Sequence, residues 1–196
     1  MLTELEPVPA EALPVAALRD HLRLGTGFAD DALQDGILEA SLRAALAAVE
    51  ARVGRALIAR PFALRVARWR DPAALVLPLG PVAALAAFGV EDAEGARADR
   101  LGRVVLEAPG GARPVVVARG GGLLPAIPTG GAAVASFAAG FGAWAAVPPD
   151  LRQAALMLAA AFYEDRGAAS ATAFPPVVGA LLAPWRVLRL GAGGTR

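Results

Sequence analysis

The sequence predicts an α+β fold: a helical bundle built from the N- and C-terminal segments, with a small antiparallel β-sheet subdomain inserted between them. Three observations carry this. Apolar residues recur at helical spacing over residues 31–53 and again over 150–166. Between them, from Pro61, the period shortens to two: Phe62, Leu64 and Val66 alternate with Ala63, Arg65 and Ala67, as in a half-buried strand. Turn-forming clusters at Gly80-Pro81, Glu94-Gly95, Pro109-Gly110-Gly111, Gly120 to Gly122 and Gly130-Gly131 then cut the middle of the chain into short pieces. The implied division is 1–58, an N-terminal helical part; 59–146, the β-rich insert; 147–184, a C-terminal helical part; and 185–196, a tail.

Taken in order, a Pro-rich lead is followed by a short helix over residues 14–23, with Pro14 near its first position and Ala17, Leu18 and Leu22 on one side. Gly25 is its stop signal, and the lone His21 reads as a surface or interface residue. Asp30 and Asp31 are placed to cap the long helix, with Gln34 three residues after Asp31 as in a capping box. This helix is expected to run to Val53 and Gly54. Leu33, Ile37, Ala40, Ala44 and Ala47 form one apolar stripe on it, and Leu38, Leu42, Leu46, Val49 and Val53 a second beside it.

Strands are predicted from Phe62 and over residues 75–79, 82–90, 102–108, 114–119 and 132–139, in one small, mostly antiparallel sheet. Helix returns at Pro148-Pro149-Asp150, since proline is tolerated in a first turn and Asp150 favours the positive helix end. This helix is expected to reach Arg166 and stop at Gly167. It carries no polar side chain between Gln153 and Tyr163, so no face is left for water. Phe174-Pro175-Pro176 precedes a short helix over 177–183, and Pro184 is expected to release the tail, with a mobile loop before the short helix and an arm after it.

Composition narrows the function. At 196 residues, 56% hydrophobic and 19% charged, the chain suits one domain and is too apolar for disorder. No apolar run approaches the roughly 18 residues of a membrane span, and the acidic start is unlike a signal or transit peptide, so a soluble, cytosolic origin without membrane partners is expected. All 19 basic residues are arginine, which fits the codon bias of a GC-rich genome as well as a preference for arginine's planar fork. The net charge of +1 supplies no general basic field for DNA.

Catalytic groups do not assemble in the sequence. Without cysteine there are no disulfides, thiol nucleophiles or thiolate metal sites. Ser41, Ser136 and Ser170 lack a nucleophile-elbow context, and His21 is the only base of its kind. Asp30-Asp31 and Glu164-Asp165 sit where helix ends place acids, and Arg119 to Gly122 lacks the Lys-Ser/Thr of a phosphate loop. No catalytic, cofactor-binding or metal residue is therefore assigned. The cluster Arg65, Arg68, Trp69, Arg70 mixes base and aromatic as nucleic-acid platforms do, but one short patch also fits a solvated rim or a protein contact.

Several stretches in fixed order carry a resemblance. The opening PVAALRDHLRLGTGFADDALQDGILEASLRAALAAVEARVGRALI, the proline-flanked LPLGPVAALAAF, AGFG followed by VPPDLRQAALMLAAAFYEDR, and the closing LLAPWRVLRL together resemble the head-to-tail connector, or adaptor, proteins of tailed bacteriophages and gene transfer agents. The resemblance spans nearly the whole chain. Trp185 stands where a tyrosine is common in the family, and the middle strands are unusually rich in Ala and Gly.

The resemblance implies a structural virion protein at the head-tail junction, assembled in the host cytoplasm, with no enzymatic activity and no cofactor. It implies a ring of twelve copies that docks on the portal and receives the next connector, stopper or tail-completion protein, with DNA passing through the lumen without sequence-specific binding. On that reading Leu151, Ala155, Leu158 and Phe162 are subunit-packing residues, with the helix giving one side to residues 31–53 and the other to a neighbour or to the sheet. The tail would dock on the portal through Trp185, Arg186, Val187, Leu188, Arg189 and Leu190, with Trp185 as main anchor. The competing readings are an arginine-rich nucleic-acid-binding module, which requires steeply salt-dependent DNA affinity, and a small enzyme, which requires a pocket with convergent polar groups.

Overall fold

A computed structural model describes residues 1–24, 31–111, 113–164 and 174–186. The four helices are α1 (Val15–His21), α2 (Asp31–Val53), α3 (Pro149–Glu164) and α4 (Pro176–Leu182). The eight strands are β1 (Leu2–Glu4), β2 (Arg60–Val66), β3 (Ala74–Val76), β4 (Val82–Glu91), β5 (Arg97–Asp99), β6 (Val104–Glu107), β7 (Val115–Ala118) and β8 (Ala132–Ala139). The fold is α+β, as the change of apolar period requires. The expected single sheet is instead two: a five-stranded sheet in the order β1-β2-β8-β4-β5 and a three-stranded sheet in the order β3-β7-β6, every ladder antiparallel.

Two strands have no counterpart in the sequence prediction, β1 and β5. Each is three residues long, too short to show a period, and each exists because a longer strand offers it an edge: β1 pairs with β2 at Leu2 and Leu64, and β5 with β4 at Gly89 and Asp99. The N-terminal lead therefore starts as part of the sheet.

Burial divides between two clusters. One gathers Leu18, Leu38, Leu42, Val49, Leu57, Leu151, Leu158, Val178 and Leu182 among the helices. The other gathers Phe62, Leu64, Leu77, Val82, Phe88, Val116 and Phe137 between the sheets. Within the second, the facing pair Phe62 and Phe137 stacks with ring centroids 6.2 Å apart, a cross-strand aromatic contact that also pins the register of β2 on β8.

The helices settle which apolar faces are used. Helix α3 touches α1, α2 and α4 of its own chain. Its alanines 154, 155 and 159 are fully buried in the same cluster as Ala45 of α2, and such small side chains let packed helices approach closely. Much of its apolar surface is thus buried inside one subunit, while Leu156, Met157 and Phe162 are only partly covered. On α2 the second stripe, Leu38, Leu42, Leu46, Val49 and Val53, is buried. The described part of the first stripe, Ile37, Ala40, Ala44 and Ala47, is exposed. The cap residue Asp30, the stops Gly25 and Gly167, the loop before Phe174 and the tail from Val187 lie outside the described residues. Gln34, assigned to the capping box, donates from its amide to the hydroxyl of Tyr163 at 3.1 Å, tying α2 to the last turn of α3.

Candidate functional site

The stretches that stand far apart in the sequence, GRALI at 54–58, AGFG at 139–142, VPPDL at 147–151 and LLAPW at 181–185, meet at one joint between the helices and the five-stranded sheet. Its backbone is tightly laced. The Phe141 N–H donates to the Leu57 carbonyl at 3.1 Å, the Ala59 N–H to Gly142 at 2.9 Å, and the Gly140 N–H to Pro81 at 2.9 Å. Gly140 is required there for two reasons: its φ is +135°, and a Cβ would stand 2.5 Å from both the Cα and the N of Ala59. Glycine alone meets both conditions without strain.

A buried ion pair fastens the same joint. Glu50, in the last turns of α2, is 7% exposed. One of its oxygens accepts the Leu57 N–H at 2.7 Å, and the two together receive the Arg60 guanidinium at 3.0 and 2.7 Å. Arg60 Nε also donates to Glu4 of β1 at 2.9 Å, so one guanidinium ties α2, β1 and β2 together. Burial alone would lower the Arg60 pKa, but hydrogen bonds and charge from Glu50, and then from Glu4, raise it above the ordinary arginine value. Fork geometry is what makes this bidentate arrangement possible.

Trp185 completes the joint. It does not stand on a released arm: Ala183–Trp185 forms a 3-10 turn directly after α4, and the indole packs edge-on against Phe141 with centroids 5.9 Å apart. The indole N–H donates to an Asp150 carboxylate oxygen, and the Arg55 guanidinium lies over the ring at 5.1 Å. Burial pushes the Arg55 guanidinium below its ordinary pKa, and its Nε has no hydrogen-bond partner among the described residues. The expectation that Pro184 frees the chain is corrected here, because a half-buried indole with a carboxylate partner in its own subunit is better placed than one in water.

The remaining assigned residues separate. Leu151, Ala155 and Leu158 are buried within the chain's own helical core, and Phe162 is half-buried against it. Arg186 is exposed beside the joint; Val187, Leu188, Arg189 and Leu190 lie outside the described residues. His21 is exposed, and the Ser41 hydroxyl donates to the Ile37 carbonyl at 2.9 Å. Arg65 pairs with Glu91 across the sheet, while Trp69 stacks on Phe88 at 6.4 Å and donates to the Pro125 carbonyl at 3.0 Å. Among the described residues no three His, Cys, Asp or Glu side chains gather closely enough to hold a metal, and no helix is long and apolar enough to cross a membrane.

Sequence reasoning missed the Glu50–Arg60–Glu4 bridge. Its members are 10 and 56 residues apart, and the only signal was an acid set inside the apolar arc of α2.

The polar groups of the joint are engaged in holding helices to sheet. Together with the exposed apolar stripe on α2, this is in keeping with a structural protein. The comparisons with known proteins agree. The chain is similar to a protein in the neck of an empty gene transfer agent particle, computed with C6 symmetry, at 46% identity over 98% of both chains with a TM-score of 0.89. It is similar to a protein of the native gene transfer agent virion at 47% identity, again over 98% of both chains, with a TM-score of 0.86. A protein of the native particle's neck, computed with C12 symmetry, shares 43% identity over the same coverage with a TM-score of 0.84. No protein-family model and no curated protein matches the chain. The chain belongs to the head-to-tail connector, or adaptor, proteins of tailed bacteriophages and gene transfer agents, structural proteins of the virion.

Proposed function

We propose that this chain sits in the neck of a phage-like particle and forms a closed ring of twelve copies. The ring joins the portal of a DNA-filled head to the tail or next connector and leaves a lumen for DNA. One observation carries the reading: the chain is alike end to end, over 98% of both chains, to a protein of a particle neck computed with C12 symmetry. It acts as a structural adaptor and not as an enzyme; its selectivity lies in surfaces, and it needs no cofactor.

Helix α3, whose Leu156, Met157 and Phe162 are only partly covered by its own chain, keeps some apolar surface for a neighbour. The exposed stripe of α2, Ile37, Ala40, Ala44 and Ala47, offers a smooth apolar surface to a second copy, and a cyclic ring needs such a surface to meet a different one on the next subunit. Residues 187–190, following the anchored Trp185, dock on the portal with Arg186. The division into 1–58, 59–146, 147–184 and 185–196 belongs to the same proposal. Two separate buried clusters support it, with the joint at Trp185 holding the parts together.

Mixing the purified chain with portal rings tests this by native mass spectrometry. Twelve copies added per portal is the expected result; one or two copies, or none, would contradict it.

A further inference from the structure

Beside the joint, between the C-terminal end of α2 and the two sheets, lies a cleft of about 800 Å³ whose charge the structural role leaves unexplained. Among the described residues five arginines line it, Arg52, Arg68, Arg70, Arg113 and Arg186, with Asp71 as the single acid. All five are exposed. Arg52 lies over the Phe174 ring at 5.8 Å, and none of the five has an ion-pair partner among the described residues. Asp71 is itself engaged, its carboxylate accepting the Ala73 N–H at 2.8 Å. In a chain of net charge +1 this is a local concentration of like charge, and such a patch is relieved when an anionic partner covers it.

The walls say what kind of anion fits. Leu2 of β1 and all three residues of β3 line the cleft. Both strands are sheet edges, β1 of the five-stranded sheet and β3 of the three-stranded one. Leu2 and Val76 are among the exposed large apolar side chains, at 37% and 40%. Edge strands offer backbone groups to an added strand, and alternating apolar side chains then find pockets. A nucleic acid is less well served. Trp69, the one aromatic residue among the described lining, already stacks on Phe88 and donates its indole N–H to Pro125, so among the described residues no free ring platform remains of the kind that single strands use. The chain's own tail is disfavoured by charge, since Arg189 and Arg196 would join Arg186 in meeting four more arginines.

We propose that the arginine-lined cleft between α2, β1 and β3 is a docking site for an extended acidic segment of another protein, carrying carboxylates with interleaved apolar residues. The guanidinium groups pair with the carboxylates while the segment lies along the exposed strand edges. This goes beyond the ring proposal and, Arg186 apart, draws on other residues, because the cleft is complete within one subunit.

The test uses the full chain and a fluorescein-labelled dodecapeptide of alternating glutamate and valine, read by fluorescence anisotropy at physiological salt. Saturable binding is expected, falling at least tenfold in Arg68→Glu/Arg113→Glu but not in Arg97→Glu/Arg103→Glu. The second pair changes the net charge equally at exposed positions outside the cleft. Hydrogen exchange of the unaltered protein should slow at residues 2–4 and 74–76 when the peptide is bound. The proposal is overturned if binding does not saturate, if both variant pairs weaken it alike, if neither strand gains protection, or if single-stranded or duplex DNA binds more tightly and displaces the peptide.

Discussion

Glu50 is the residue on which the joint depends most. Its carboxylate satisfies a backbone N–H and a guanidinium that is itself largely enclosed, so removing it orphans the Leu57 N–H and leaves Arg60 with only the more exposed Glu4 as a charged partner. Glu50→Ala should destabilise the fold by about 3–5 kcal/mol, the range for breaking one side of a buried pair, and urea titration would show it. The raised pKa of Arg60 means its contribution is fully present below the ordinary arginine range and is lost only in strong alkali. The Arg60 charge should therefore impose no pH dependence on stability around neutrality. Gly140→Ala tests the close approach in the same joint: a Cβ meets backbone that cannot yield, so a loss well above the roughly 1 kcal/mol of an ordinary Gly-to-Ala strain effect is expected, seen as a lowered melting temperature. Neither feature was legible in the sequence. Helical periodicity marks Glu50 as misplaced but cannot name a partner ten residues on, and no local rule says that Gly140 passes against Ala59.

Among the elements, α3 was the most legible and its surroundings the least. Its entry through Pro149 and Asp150 and its apolar run follow from spacing alone, yet only the tertiary arrangement shows that α1, α2 and α4 pack against it. Leu158→Asp should cost several kcal/mol through an unpaired charge in the packed interior, whereas Arg152→Ala, half-buried in the first turns, should cost under about 1 kcal/mol; equal tolerance would show that α3 is not enclosed. The end of α4 divides in the same way. Truncation after Arg186 should leave the melting transition intact, while truncation after Pro184 removes the indole from Phe141 and Asp150 and should lower stability by roughly 2–3 kcal/mol, somewhat below the cost of deleting a fully buried tryptophan. Helix α2 carried two apolar stripes of similar appearance, and alanine spacing could not tell the buried one from the exposed one. Ala44→Glu, on the exposed stripe, should leave the monomer's stability unchanged while preventing association of neighbouring copies, measurable by native mass spectrometry in the presence of the portal.

At the scale of the whole molecule, the order helix, strand, helix was readable because periods of 3.6 and two are local properties. The split into two sheets was not, since β1 and β5 are defined by the strands they join and carry no pattern of their own. The family was readable because its motifs are the residues of the joint: backbone lacing, the Trp185 contacts and the entry to α3 constrain residue types at fixed places. The surfaces that would serve assembly, the α2 stripe and the arginine cleft, carry no such local signature, because solvent-facing residues are constrained only by a partner. The most direct test of the central claim is an image of the neck of particles containing this chain. Twelve copies in a closed ring between portal and tail are expected, with α2 stripes at the subunit boundaries and residues 187–190 on the portal; one or two copies, or a position away from the portal, would overturn the ring.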